Sequence, residues 1–256
     1  MKLYYKKIIN SDFGIRIRNT LNISPVDMLT SELHSASVSD AFVWRTDNNF
    51  STKIRFIDIL NFFFEKEETT ANILFYDNNF NYLKKLSFTK LKKLNEVIIN
   101  KEFFGNKEGY GTFYIFHDLK NNEVQKELIS NRCYVGFSKN DQHFSYVHGN
   151  LLARYNSSND KNEIKSDIIK TSFIMNQNYK IQKYFNKNFN NEIFLTNPTS
   201  RTINFKIKRN SYSLKEGCSL IIDLKQEDII NIKSNCLFFR PIVFSYNSEY
   251  FDVHHG

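Results

Sequence analysis

The sequence predicts an all-β protein built as two antiparallel β-sandwich modules in tandem, with one or two short helices. Three observations point there. Apolar side chains recur at every second position in many short runs. The clearest is Ile203, Phe205 and Ile207 against Asn204 and Lys206, the period of a strand with one buried face. Those runs draw on Phe, Tyr, Ile and Val, which suit a pleated surface, and long Leu-Glu-Lys-Ala helical runs are absent. Finally, one strand–turn–strand unit occurs twice, as GFSKNDQHFSYVHG (Gly136–Gly149) and VFSYNSEYFDVHHG (Val243–Gly256). Phe137, Ser138, Asn140, Phe144, His148 and Gly149 recur as Phe244, Ser245, Asn247, Phe251, His255 and Gly256. Ser130-Asn131 and Cys133 precede the first copy, and Ser234-Asn235-Cys236 the second, so the order repeats as well as the residues.

The chain opens on residues 1–22, where Ile15 and Ile17 alternate with Arg16 and Arg18, predicting an edge strand or an arm. Ser24, Pro25 and Asp27 suit an N-cap, a first helical position and a first turn, and predict a short helix ending near His34. AFVWRT (Ala41–Thr46) and FSTKIRF (Phe50–Phe56) flank Asp47-Asn48-Asn49 and predict a hairpin. Ile57–Lys66 fits a short buried helix or a connector. ANILFY (Ala71–Tyr76) and FNYLKKLSF (Phe80–Phe88) predict a second hairpin about Asp77-Asn78-Asn79, and EVII (Glu96–Ile99) a further strand. In YGTFYIFH (Tyr110–His117), Phe113 and Ile115 share one face and Tyr114 and Phe116 the other. A strand apolar on both faces belongs in the middle of a sheet. With the hairpin at 136–149 the first module, residues 1–155, is complete. NSSNDK (Asn156–Lys161) has no apolar anchor and predicts a linker over 156–168, in which Asp160 and Glu163 would cap a helical turn.

The second module, residues 169–256, contains EIFLT (Glu192–Thr196), the turn Asn197-Pro198-Thr199-Ser200, and RTINFKI (Arg201–Ile207). Tyr212–Leu214, the turn Glu216-Gly217 and CSLIIDL (Cys218–Leu224) follow, at the short regular spacing of a sandwich. The run FLTNPTSRTINFKIKRNSYSLKEGCSLIIDL resembles immunoglobulin-like β-sandwich modules of bacterial proteins, over about the last third of the chain. The resemblance implies that fold. It departs from antibody domains in lacking their cysteine pair and core Trp, since Trp44 lies in the first half. In that half, SDAFVWRTDN, SNRCYVGFS and SYVHGN are similar to uncharacterised bacterial proteins of surface-polysaccharide loci. That likeness implies a setting and carries over no catalytic residue.

A net charge of +8 and a pI of about 9.2 admit an anionic partner. The basic residues are spread out, however, with small clusters at Lys84-Lys85, Lys90-Lys92-Lys93 and Lys206-Lys208-Arg209. Lysines of this kind also guard sheet edges, and a nucleic-acid partner is not expected. Three cysteines with no CxxC argue against a disulfide framework or zinc knuckle. Cys133 and Cys236, at matching places, are expected each to fill a core. No run approaches the ~20 apolar residues of a membrane helix. The N-terminus MKLYYKKIIN has no unbroken apolar h-region, so a cytoplasmic protein is expected.

The six histidines show no HxH or HExxH spacing, and no GxSxG or Gly-rich phosphate loop occurs. No catalytic residue, metal or cofactor is expected. His148 and His255 end the alternations Phe144-Tyr146-His148 and Phe251-Val253-His255, and each is expected to close the end of a core face. The densest polar–aromatic constellation joins Trp44, Arg45 and Asp47 with Arg55, Arg132, Tyr134, His148 and Asn150. An aromatic platform beside planar hydrogen-bonding groups is what a sugar ring needs, because its C–H face stacks while its hydroxyls bind in the plane. The competing reading makes Trp44 core and pairs Arg45 with Asp47 at a hairpin mouth. The function expected is non-catalytic binding of a carbohydrate, such as a surface polysaccharide, or of another protein. The alternatives are an enzyme of surface-glycan metabolism with its site on the first module, and a structural subunit of a larger assembly.

Overall fold

A computed structural model describes residues 17, 20–21, 36–119, 130–131, 133–157, 160–165, 177–182, 188–224, 229–236 and 239–255. For residues 36, 130–131, 150–157, 160–165, 182 and 229 the description is of the backbone. In the first half the elements are β1 (Ala36–Arg45), a 3-10 turn over Asp47–Asn49, β2 (Phe50–Phe56), the helix α1 (Ile59–Phe64), β3 (Thr69–Asp77), β4 (Tyr82–Phe88), β5 (Asn95–Ile99), β6 (Tyr110–Leu119), β7 (Ser130–Asn131), β8 (Tyr134–Lys139), β9 (Ser145–Val147), β10 (Asn150–Ser157) and β11 (Asp160–Lys165). The second half has β12 (Gln177–Gln182), β13 (Asn190–Thr196), β14 (Ile203–Ile207), β15 (Asn210–Leu214), β16 (Ser219–Leu224), β17 (Ile229–Ser234), β18 (Ile242–Tyr246) and β19 (Phe251–His255). The all-β expectation holds. The helix expected at 24–34 lies outside the described residues. Of the N-terminal arm, Ile17 and Thr20 are helical rather than extended, and the Leu21 N–H donates to the Ile17 carbonyl at 2.9 Å.

The strands form four sheets. Sheet I runs β11-β10-β1-β6-β3-β4, with β7 parallel on β1, and sheet II runs β5-β2-β8-β9. Sheet III runs β12-β17-β14-β15, and sheet IV runs β16-β13-β18-β19. Apart from β7 on β1, every pairing is antiparallel. The order repeats between halves. Setting aside the two-residue β7, strands one, six, three and four of each half lie side by side in sheets I and III. Strands five, two, seven and eight do so in sheets II and IV. The repeated hairpins are β8–β9 and β18–β19, each closing the end of its sheet.

This corrects the immunoglobulin-like expectation. That fold places strands one, two, five and four on one sheet and three, six and seven on the other. Here four sheets instead each draw their strands from along half the chain, in the orders given above. The difference arises at the turns. Asp47–Asn49 was expected to close a hairpin, but β1 and β2 lie in different sheets, and the turn Asn197–Ser200 likewise joins β13 and β14 of different sheets. Asn48 and Asn49 are left-handed (φ 52° and 60°) and carry the chain across the core instead of back alongside itself. The Thr52 hydroxyl then bridges the Arg45 N–H and carbonyl, each at 2.9 Å. In the second arch the Asn197 amide donates to the carbonyls of Arg201 and Leu214, at 2.7 and 3.0 Å. Arches and hairpins use the same turn residues, so composition does not separate them.

Other expectations fare variously. The hairpin about Asp77-Asn78-Asn79 is present as β3–β4, and β6 is central, between β1 and β3. Ile57–Lys66 contains α1, started by the Asp58 side chain, which accepts the Asn61 N–H at 3.0 Å. Of the stretch expected as linker, residues 156–157 and 160–165 are instead strand, β10 paired with β11 and Asn156 opposite Ile164. An edge needs no apolar anchor on its open side, so polarity misled there. Cys133 and Cys236 are buried in separate cores, as expected.

Those cores are shared between halves. Phe42, Trp44, Phe75 and Phe113 from sheet I, Phe50, Ile54 and Phe137 from sheet II, and Phe194, Phe244 and Phe251 from sheet IV form one cluster. The second cluster joins Ile193, Leu195 and Val243 of sheet IV to Ile203, Phe205, Ile207, Ile230 and Ile232 of sheet III, and to Tyr114 and Phe116 on the other face of β6. Sheet IV is thus buried on both faces, one against sheet III and the other against the first half.

Candidate binding face

On the outer face of sheet II, aromatic and charged side chains meet near solvent. Its register sets the rows. Ile98, Lys53, Gly136 and Tyr146 lie across the sheet in one row, and Glu96, Arg55 and Tyr134 in the next. The alternate residues Thr52, Ile54, Val135, Phe137 and Val147 point into the core. Tyr134 is 58% exposed and Ile98 55% exposed. The His148 ring lies 5.0 Å from that of Tyr134, and the Phe144 and Tyr146 rings are 6.4 Å apart. Lys53 Nζ sits 4.2 Å from the Phe144 ring centre, and Arg55 Cζ 5.1 Å from that of Tyr146. Arg55 Nε donates to Glu96 across the strands.

Gly136 makes this arrangement possible. A Cβ there would stand 2.6 Å from Tyr146 Cε1, so the absent side chain is what lets the tyrosine ring lie across β8. The alternation Phe144-Tyr146-His148 was expected to close a core face. It faces outward instead, whereas its counterparts Phe251 and Val253 are buried. The cause is a one-residue difference in hairpin register. In the first copy Phe137 opposes Ser145, but in the second Phe244 opposes Val253, the counterpart of Tyr146. A one-residue slip turns every side chain of the second strand to the other face.

The structure therefore divides the eight candidate residues. Arg55, Tyr134 and His148 come together on the outer face of sheet II. Trp44 is core, 3% exposed, its Nε1 donating to the Tyr76 carbonyl at 2.8 Å. Arg45 is fully buried. Arg132 lies outside the described residues, and for Asn150 only the backbone, at the start of β10, is described. Sequence reasoning missed Lys53, Glu96, Gly136, Phe144 and Tyr146 as members of the face. The available signal was Gly136 itself, which stands where the second copy has Val243.

Arg45 organises a separate, buried cluster. Its Nε and Nη2 donate to the two Asp47 oxygens at 3.0 and 2.8 Å, and its Nη1 to Glu192 at 2.6 Å. The guanidinium lies 3.7 Å from the Phe50 ring centre and 4.8 Å from that of Phe244. Glu192 also accepts from the Tyr246 hydroxyl at 3.1 Å. Burial pulls the Arg45 pKa down, and Asp47 and Glu192 more than offset it, so the net shift is upward. Burial, followed by Glu192, raises that of Tyr246. Lys139, stacked on Phe50 and Tyr246, is lowered by burial and then by Arg45. Every group in the Arg45–Asp47–Glu192 triad is spent on another, so the cluster reads as a tie between halves rather than a ligand site.

The two closing hairpins touch through corresponding residues. Ser145 Oγ donates to Asp252 at 3.4 Å, and the His148 N–H donates to His255 Nε2 at 3.1 Å. The rings of His148 and His255 stack 6.5 Å apart at 8°. His255 titrates at about 4, down from 6.5, through burial first and then the Arg240 cation. As pH falls below 6.5 the unfolded chain takes this proton before the folded one does. Stability is therefore expected to drop between pH 6.5 and 4 and to level off, for this group, below. The ring is partly exposed, so the loss is on the order of 1–2 kcal/mol. Urea midpoints from pH 7 to 4 check this, and His255→Gln should flatten the slope.

Among the described residues no cluster of three or more His, Cys, Asp or Glu is placed to hold a metal, and no helix is long and apolar enough to cross a membrane. No family model and no curated protein matches the chain. A solved structure described as an anti-sigma factor domain-containing protein aligns over 82% of this chain and 79% of its own, at 10% identity. Its TM-score of 0.19 is well short of a shared fold.

Proposed function

We propose that this protein is a non-catalytic carbohydrate-binding protein whose site is the outer face of sheet II. The observation that carries the reading is the array of exposed Tyr134 and His148 with half-buried Phe144 and Tyr146, beside the Arg55–Glu96 pair. Sugar C–H faces stack on such rings, and a guanidinium–carboxylate pair offers donors and acceptors to hydroxyls in the ring plane. Nucleic acid is the poorer fit. Binding to a phosphate backbone rests on many cations, and among the described residues this face has Lys53 and an Arg55 already paired with Glu96. A surface polysaccharide is the ligand we favour, in keeping with the sequence resemblance of the first half. We also read each half as one sandwich module of a tandem pair, which the repeated strand order supports.

A glycan array tests the reading. Wild-type protein is expected to give discrete glycan signals, and Tyr134→Ala to reduce them by about tenfold or more. Because Tyr134 is mostly exposed, its folding stability should stay within about 0.5 kcal/mol of wild type. Absence of any glycan signal overturns the reading.

A further inference from the structure

We infer that the outer face of sheet II takes an extended acidic polysaccharide laid along β9, not a single neutral sugar. This rests on the carbohydrate reading above and adds the ligand's length and charge. Length follows from the strand. Phe144, Tyr146 and His148 are successive outward positions, and two residues of strand span about 6.6 Å. The observed Phe144–Tyr146 spacing of 6.4 Å fits that rise, and Tyr134 widens the third position by packing on His148. Three stacking surfaces in line match consecutive rings of a polymer, whereas a lone sugar would use one of them.

Charge follows from the two cations beside these rings. Lys53 stands over Phe144 and has no carboxylate partner among the described residues; Arg55 stands by Tyr146 with its Nε edge held by Glu96. A sugar stacked on either ring brings its substituents within reach of a cation. A carboxylate substituent would pair with Lys53, an interaction strengthened where the sugar excludes water. Neutral hydroxyls would leave that ammonium uncompensated beside the bound chain. The net charge of +8 draws an acidic polymer to the protein in the same sense.

The test compares polygalacturonate, alginate and hyaluronate with dextran and mannan, and includes oligo(dT), all against the full chain. Binding is expected for acidic polysaccharides and not for dextran or mannan, and it should weaken as salt rises. Lys53→Met should cost about tenfold in affinity with the fold retained, since the residue is on the surface. Trimeric fragments of the bound polymer should bind at least about tenfold more tightly than monomers. If dextran or mannan binds as well and Lys53→Met changes nothing, the acidic inference fails while the carbohydrate reading stands. Equal affinity of monomer and trimer overturns the extended site. If no polysaccharide binds, or oligo(dT) binds more tightly than all of them, both proposals fail together.

Discussion

Glu192→Ala is expected to destabilise the protein by about 3–5 kcal/mol, a loss in the range seen when one partner of a buried ion pair is removed. Arg45 has no exposed surface and lies between the rings of Phe50 and Phe244. Its charge is tolerated there because Asp47 takes one edge of the guanidinium and Glu192 the other end. Without Glu192, Nη1 loses its acceptor and the Tyr246 hydroxyl loses its own, both inside a packed aromatic core. Asp47 has 21% of its side chain open to solvent and cannot turn to replace both bonds. The double substitution Arg45→Met with Glu192→Leu should recover part of the loss, because an apolar pair avoids burying an unpaired guanidinium, while the Tyr246 hydroxyl stays without its acceptor. Urea unfolding of the three proteins at pH 7 measures it. A cost under about 1 kcal/mol for Glu192→Ala would show that Asp47 alone compensates the buried charge.

Much of the fold was legible because strand period is a local property. The alternation in Ile203–Ile207 and the double-faced pattern of Tyr110–His117 each correspond to the strand they predicted, and the repeated hairpin marked the same place in two sheets. Connectivity was less legible. Asp47–Asn49 looks like a hairpin turn, yet whether it returns the chain beside β1 or beneath it depends on partners far away in sequence, β6 and β8. The candidate site was half legible for a related reason. Arg55, Tyr134 and His148 lie on one face, but Trp44 and Arg45, on the alternate strand β1, turn into the core that the two halves share. Glu192 was unreadable as a partner of Arg45, since 147 positions separate them and nothing in the local pattern links them.

Gly136→Val, which installs the residue found at the corresponding place in the second hairpin, is expected to weaken the proposed glycan binding by about a hundredfold while leaving the fold largely intact. The two hairpins share their sequence pattern and differ by one residue in register, and this alone decides whether Phe144, Tyr146 and His148 face water or core. Gly136 is where that difference meets a side chain. A Cβ would meet Tyr146 at 2.6–3.0 Å along one edge of its ring, so the ring must swing off the sheet. Tyr146 is half-buried and can do so, and valine suits a strand better than glycine, so the stability change should be small, about 1 kcal/mol in either direction. Binding is different. Displacing Tyr146 removes the middle stacking surface and takes the ring away from Arg55, which should weaken any bound polysaccharide by about a hundredfold. Paired measurements of glycan affinity and urea midpoint separate the two effects. An unchanged affinity would place the ligand elsewhere on the molecule, and a large loss of stability would mean that Tyr146 is anchored more firmly than its half-buried setting implies.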